Sequence, residues 1–549
     1  MAATIPVETN NTDDIYLTEL LSTLADACSR GCQVIRAVHN KRVQQKQSSE
    51  TALSVQYKIA NDPRSALTEA DVNSQLVIME CIRHVYGQGL NIIGEEDADD
   101  DGDNDGNGDN DGNGNGNGNG KEVDDTASTI TTIFDKYGVD QITKRAITKN
   151  LFENKEEKVP LKNVTIYIDP MDGTREFVEE RLQNVQCLIG ITYNGKPVGG
   201  VIGLPFVSFE DGKEKDTSSS SSSSSSSTNV ICALSWNECN IIDMVRFENG
   251  IGTRDDKDKH TWLSLEKEEK EQAAGADDSS PCLKVFTGDS KGVHKKHALQ
   301  YLEKWTADND DAMDLCIAGG CGNKITRLTA YSSIGGNNNS AIAVIPPGTC
   351  SWDTAAPSSV LFASMIKFGV KGRVTDMFGG ELVYDSSGKN VTNDLGALIS
   401  CGEKAMEYHE KLCEAMRSDP VILDSLLRKY WNNSCDDAGL DKDESETRLK
   451  LKNAQMKPQT VGGTRNTLGY VHTCQELVRA IACHLQVDDD DIGSHLIGYA
   501  MQEDSHSTKE SSELHLYWKR VEDSSSLRRE LPDVLKCTKG VAGTMLTFQ

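Results

Sequence analysis

The chain has 549 residues, 37% of them hydrophobic and only 6% aromatic, enough for a buried core but leaving stretches that cannot join one. With 57 Lys and Arg against 85 Asp and Glu, the formal net charge is −28, which excludes a general binder of nucleic acid or anionic membrane, since both need basic surface. No apolar run reaches the ~18 residues of a membrane span, no presequence pattern opens the chain, and the 16 cysteines show neither CxxC nor a zinc-type spacing. The expected setting is cytoplasmic, with reduced thiols.

Residues 14–38 carry apolar side chains at helical spacing: Leu17, Leu20, Leu21, Leu24, Cys28, Ile35 and Val38. A second helix is expected from Thr68 through Leu76, Met79, Ile82 and Val85, followed by a short strand at Asn91–Ile93 that runs into Gly94-Glu95-Glu96. An insert at about 97–128 is largely Asp, Gly and Asn, a composition that buries no apolar area and predicts a disordered loop. Its DGDNDG stretch starts like a calcium loop, but position 12 is Gly112, where a bidentate Glu is required, so a calcium buffer ranks last.

Val164, Ile166 and Ile168 alternate as a strand that ends in Asp169-Pro170-Met171-Asp172-Gly173-Thr174. VQCLIGITY and KPVGGVIGL flank Asn194-Gly195, a strong hairpin signal. The overlapping GxxxxGK from Gly190 to Lys196 continues with Pro197 instead of Ser or Thr, so it is not a P-loop. A serine tract lies in a second insert, at about 210–228, and a further strand-and-helix stretch follows from Cys282 to Met416. Residues 418–549 form a C-terminal extension without a chemical motif.

Of the acids Asp71, Glu95, Asp169, Asp172 and Asp353, several stand at the end of an apolar element, where ligands gather in α/β folds. Bringing such carboxylates together is costly unless a hard cation joins them. Oxygen donors without Cys or His favour Mg2+ or Mn2+ over zinc. Each acid also has a plainer reading: Asp172-Gly173 as a turn with a Thr cap, Thr68-x-x-Asp71 as a capping box, Glu95-Glu96 as the start of the acidic loop, and Asp353 as a helix cap.

In order, Thr68-Glu69-Ala70-Asp71, Gly94-Glu95-Glu96, Asp169-Pro170-Met171-Asp172-Gly173-Thr174 and Trp352-Asp353 resemble the lithium-sensitive, magnesium-dependent phosphomonoesterase superfamily, which includes inositol monophosphatases and 3′(2′),5′-bisphosphate nucleotidases. IDPMDGTREFVE, GGCGNKI and WDTAAPSSVL look like the nucleotidase branch. The resemblance implies a layered α/β sandwich of the sugar-phosphatase type over residues 1–417. It implies Glu95, Asp169, Asp172, Asp353 and the Met171 carbonyl as Mg2+ ligands, with Glu96 as a further candidate. Asp71 and Thr174 would activate water. Gly173 and Thr174 would meet the phosphate, Gly320 and Lys324 the nucleotide side, and His294 the base. The implied reaction removes the 3′-phosphate of 3′-phosphoadenosine 5′-phosphate. An inositol phosphate phosphatase and a non-catalytic nucleotide sensor are the alternatives. The partner is a small molecule in any case, with no nucleic acid and no membrane.

Overall fold

The computed structural model describes residues 14–47, 56–57, 66–97, 131–142, 144–153, 158–210, 213–216, 227–254, 260–266, 282–335, 339–388, 391–393, 395–419, 422, 496–503 and 512–518. Nearly all of the Asp/Gly/Asn insert and nearly all of the serine tract, both expected as disordered loops, lie outside these residues, as does most of the extension. The second insert is narrower than its composition implies. Lys213–Asp216 pairs antiparallel with Val207–Glu210, because Val207 and Phe209 have apolar side chains to bury.

The chain divides into two compact units. The first holds residues 1–289, 309–374 and 382–406. It opens with α1 (Leu17–Gln47), longer than the apolar period predicts because residues 39–47 are polar and helix-tolerant apart from Val43, with no period to read. Helix α2 (Glu69–Tyr86) starts from a Thr68 cap, and β1 (Asn91–Gly94) follows. Next come β2 (Val164–Asp172), the short α3 (Thr174–Val178), β3 (Gln186–Tyr193) and β4 (Lys196–Leu204). Asn194 and Gly195 both take positive φ, 50° and 71°, as a two-residue hairpin turn requires. Strands β5 (Thr228–Trp236), β6 (Cys239–Glu248) and β7 (Ile251–Thr253) complete a seven-stranded sheet in the order β7-β6-β5-β4-β3-β2-β1, antiparallel except for β1 with β2.

One face of this sheet buries Ile166, Ile168, Cys187, Ile189 and Val201 against the leucines of α1 and the Val77-Ile78-Ile82 face of α2. Strand alternation sends Leu188, Ile202, Ile231 and Met244 to the other face. There they meet α5 (Cys321–Gly335) and α6 (Ser351–Phe368) through Ala330, Ala356 and Val360. Helix α6 lies close on the sheet because Gly190 and Gly200 lack side chains. A Cβ would come 2.9 Å from Ala356 N at the first and 2.8 Å from Ala356 Cα at the second. Beyond α5 lies a five-stranded sheet built from β8 (Cys282–Thr287), β9 (Ala312–Ile317), β10 (Ser340–Ile345), β11 (Gly372–Thr375) and β12 (Ala397–Cys401), in the order β9-β8-β10-β12-β11. The first unit is thus a layered α/β sandwich of helices, sheet, helices and sheet.

The second unit holds residues 290–308, 375–381 and 407–549. Its helix α4 (Val293–Asp308) stacks Trp305 on Tyr301, and Tyr408 of α7 (Glu403–Ser418) stacks on Trp305. His297 meets Asp419 at 2.5 Å, and the extension contributes an antiparallel hairpin, Leu496–Glu503 with Ser512–Trp518. No helix of the described residues is long and apolar enough to cross a membrane.

Candidate active site

Strand β2 is buried along its whole length, and its register with β3 slips between Asp169 and Asp172. Pro170 cannot donate to the ladder, and the bulge re-aims the side chains on either side of it. The Asp169 carboxylate accepts the Met171 N–H at 3.0 Å. Gly173 holds φ +90° at the start of α3, a conformation that favours glycine.

Asp172 is held by a segment 149 residues further on. Its Oδ1 accepts the Cys321 N–H at 2.7 Å and its Oδ2 accepts the Asn323 N–H at 3.1 Å, so the carboxylate sits on the N-terminus of α5. Gly320, at φ +74°, permits this approach, since a Cβ there would stand 2.6 Å from Asp172 Oδ2. The Lys324 ammonium donates to the Gly320 carbonyl and, at 3.5 Å, to that of Ala318. Gly320 and Lys324, expected at the nucleotide side, therefore lie against Asp172 and its turn.

Asp71 caps α2 and also reaches Thr174. Its Oδ2 accepts the Thr68 N–H and hydroxyl, each at 2.8 Å, closing the capping box. Its Oδ1 accepts the Thr174 hydroxyl at 2.8 Å, and Thr174 Oγ1 also lies 3.2 Å from the Met171 carbonyl. One turn along the same face of α2, Gln75 accepts the Glu96 N–H at 3.1 Å and fits over Gly94, which anchors the Glu95-Glu96 segment. Asp353, in the first turn of α6, accepts the Cys350 N–H at 2.6 Å. It too is a cap and a member of the cluster. Oxygens of Asp169, Asp172 and Asp353 lie within 4.8 Å of one another.

This crowding shows in the proton affinities. Burial, then the charge of Glu95, raises Asp71 to about 7 despite the bonds from Thr174 and Thr68. Burial, then the charges of Asp172 and Glu95, raises Asp353 to about 7. Burial raises Asp172 to about 6, with Lys324 and the two α5 amides pulling the other way. Asp169 is pushed well above the carboxylate range by burial and by Glu95, Asp172 and Asp353. Such a set fits a hard divalent cation: the donors are oxygens, several charges converge, and no Cys or His joins them.

Some supporting residues carried no signal in the sequence. Cys321 and Asn323 act through backbone amides. Glu176, buried and bonded to Arg181 and Asn184, fills the space beside Gly319. The i, i+4 relation of Asp71 and Gln75 could have pointed to Gln75. His294, expected to meet the base, is buried on α4 and belongs to the second unit.

The profile of the Inositol monophosphatase family matches residues 17–419, and the chain belongs to this family. It is 26% identical over 257 residues to a protein from Rattus norvegicus named 3′(2′),5′-bisphosphate nucleotidase 1, a match covering 47% of this chain and 63% of that one. A protein of the same name from Dictyostelium discoideum is 24% identical over 370 residues, 67% of this chain and 89% of the relative. Among solved structures, the extragenic suppressor protein suhB from Bartonella henselae aligns with TM-score 0.36 and 13% identity, over 72% of this chain and 98% of that one.

Proposed function

We propose that the chain is a magnesium-dependent phosphomonoesterase that removes the 3′-phosphate of 3′-phosphoadenosine 5′-phosphate to give AMP and phosphate, with 3′-phosphoadenosine 5′-phosphosulfate as a second substrate. We assign the activity to residues 1–417. The observation that carries the reading is the meeting of Asp169, Asp172 and Asp353 beside the Asp71–Thr174 pair. The nucleotide preference is supported by the names of the relatives.

In this reading Glu95, Asp169, Asp172, Asp353 and the Met171 carbonyl hold Mg2+. A bound divalent cation supplies Lewis acidity toward water and phosphate oxygens. Thr174 donates its hydroxyl proton to Asp71, which leaves its oxygen lone pairs to accept a proton from a water and orient it. Asp71, whose buried carboxylate accepts the Thr174 hydroxyl, is placed to take the proton relayed through Thr174. Gly173 and Thr174 meet the phosphate with their backbone. Gly320 and Lys324 hold Asp172 and line the nucleotide side.

Phosphate release by the purified full-length chain tests this, using the adenosine bisphosphate, the phosphosulfate and inositol 1-phosphate, each with and without Mg2+ and Li+. The expected result is Mg2+-dependent, Li+-inhibited release that is fastest from the adenosine bisphosphate. Faster turnover of inositol 1-phosphate would move the reading to inositol phosphates. No release from any substrate would leave a nucleotide sensor.

A further inference from the structure

Cys28 and Cys32 stand one turn apart on α1, and Cys187 lies near the start of β3. All three are fully buried, and their sulfurs lie within 4.8 Å of one another. The register puts Gly203 of β4 directly beside Cys187. A Cβ on Gly203 would come 2.5 Å from Cys32 Sγ and 2.7 Å from Cys28 Sγ. A residue without a side chain thus leaves room for the sulfurs, where an ordinary core would place a methyl group.

Charge gives a second, independent observation. Arg36, one turn beyond Cys32 and partly buried, donates to the carbonyls of Pro205 and Ser227 at 3.3 and 2.9 Å and to the Thr228 hydroxyl at 2.6 Å. These acceptors are neutral, and the ionisable group that faces the guanidinium is Cys32. A thiolate is the metal-binding form of cysteine, and a guanidinium one turn away offsets part of its charge.

We infer that Cys28, Cys32 and Cys187 form a sulfur site for a soft divalent cation of the zinc and cadmium class. Zinc–sulfur bonds of about 2.3 Å around a central ion place the sulfurs roughly 4 Å apart, inside the observed spread. The Cys187 carbonyl oxygen, 3.6 Å from Cys28 Sγ, is the candidate fourth donor. Three thiolates, one divalent ion and the Arg36 guanidinium leave the pocket neutral, and binding releases the remaining thiol protons to solvent. Soft sulfur donors separate this site from the carboxylates, which select a hard ion. Because the sulfurs are sealed between α1 and the sheet, the ion enters as that helix packs, and it fastens the two together.

The test uses the full-length protein, produced with zinc and dialysed under reducing conditions against a chelator. Elemental analysis should find about one retained zinc per chain in the wild type and in Cys401→Ser, a buried cysteine of the other sheet. Cys32→Ser should lose at least tenfold of that zinc. Zinc absorption spectroscopy of the wild type alone should show a sulfur-dominated shell at about 2.3 Å, so the inference stays testable if the variant fails to fold. A zinc-free wild type, a shell of light atoms only, or a folded Cys32→Ser with full zinc would each overturn it.

Discussion

Asp26 and Asp169 are both buried carboxylates of the first unit, and their surroundings differ in sign. Asp26 accepts Arg30 Nε at 2.7 Å, two nitrogens of Arg145 at 2.9 and 3.1 Å and the Thr148 N–H at 2.9 Å. Burial raises its affinity for a proton, but the two arginines more than offset this and hold it below the usual range. Asp169 faces Glu95, Asp172 and Asp353 and is driven the other way. A protein can neutralise a buried acid with its own cations, as α1 does. A cluster whose charges outnumber its own cations, as where Lys324 alone offsets part of Asp172, gains from an outside cation.

The largest expected effect is on stability against pH in the presence of a chelator. Asp71, Asp172 and Asp353 have folded-state affinities of about 7, 6 and 7 against an ordinary 3.8, so above pH 4 the folded state binds more protons than the unfolded one. Stability therefore falls as pH rises from about 4 to about 7, by several kcal/mol across the set. Asp26 acts oppositely, since its contribution is lost only as the solution becomes acidic. Urea midpoints between pH 4 and 8 should show the decline in chelator and its removal by Mg2+.

Next in size is Asp26→Asn, which leaves Arg30 buried without its carboxylate. Equilibrium unfolding should show a loss of about 3–5 kcal/mol, with phosphate release per folded molecule unchanged. Thr174→Ala removes the hydroxyl between Asp71 and water. It should lower kcat about 100-fold, or about 2.7 kcal/mol, while Mg2+ affinity holds. The smallest effect is expected from Gly320→Ala, whose methyl would press on Asp172 Oδ2 from a strained backbone. It should weaken Mg2+ binding about tenfold, or about 1.4 kcal/mol, by calorimetry.

What the sequence made legible was local. The period of α1 and α2, the Asn194-Gly195 turn, the Thr68 cap and the acids at strand ends all rest on neighbours a few residues apart. The plain reading of Asp71 and Asp353 as caps does not exclude the functional one, because capping uses one carboxylate oxygen of each and leaves the other for a further partner. What stayed hidden was long-range. No local pattern joins Asp172 to the amides of Cys321 and Asn323, or Cys187 to two cysteines of α1. Nor could the strand Lys213–Asp216 be read from its polar sequence, since its pairing depends on Val207 and Phe209 opposite.

The central claim is that Asp169, Asp172 and Asp353 are completed by a divalent cation, whereas Asp26 is already complete. Calorimetric titration of Mg2+ into the wild type, Asp169→Asn and Asp26→Asn tests it most directly. Saturable binding is expected in the wild type and Asp26→Asn, and at least tenfold weaker binding in Asp169→Asn. Equal affinity in wild type and Asp169→Asn, or no binding to the wild type, would contradict it.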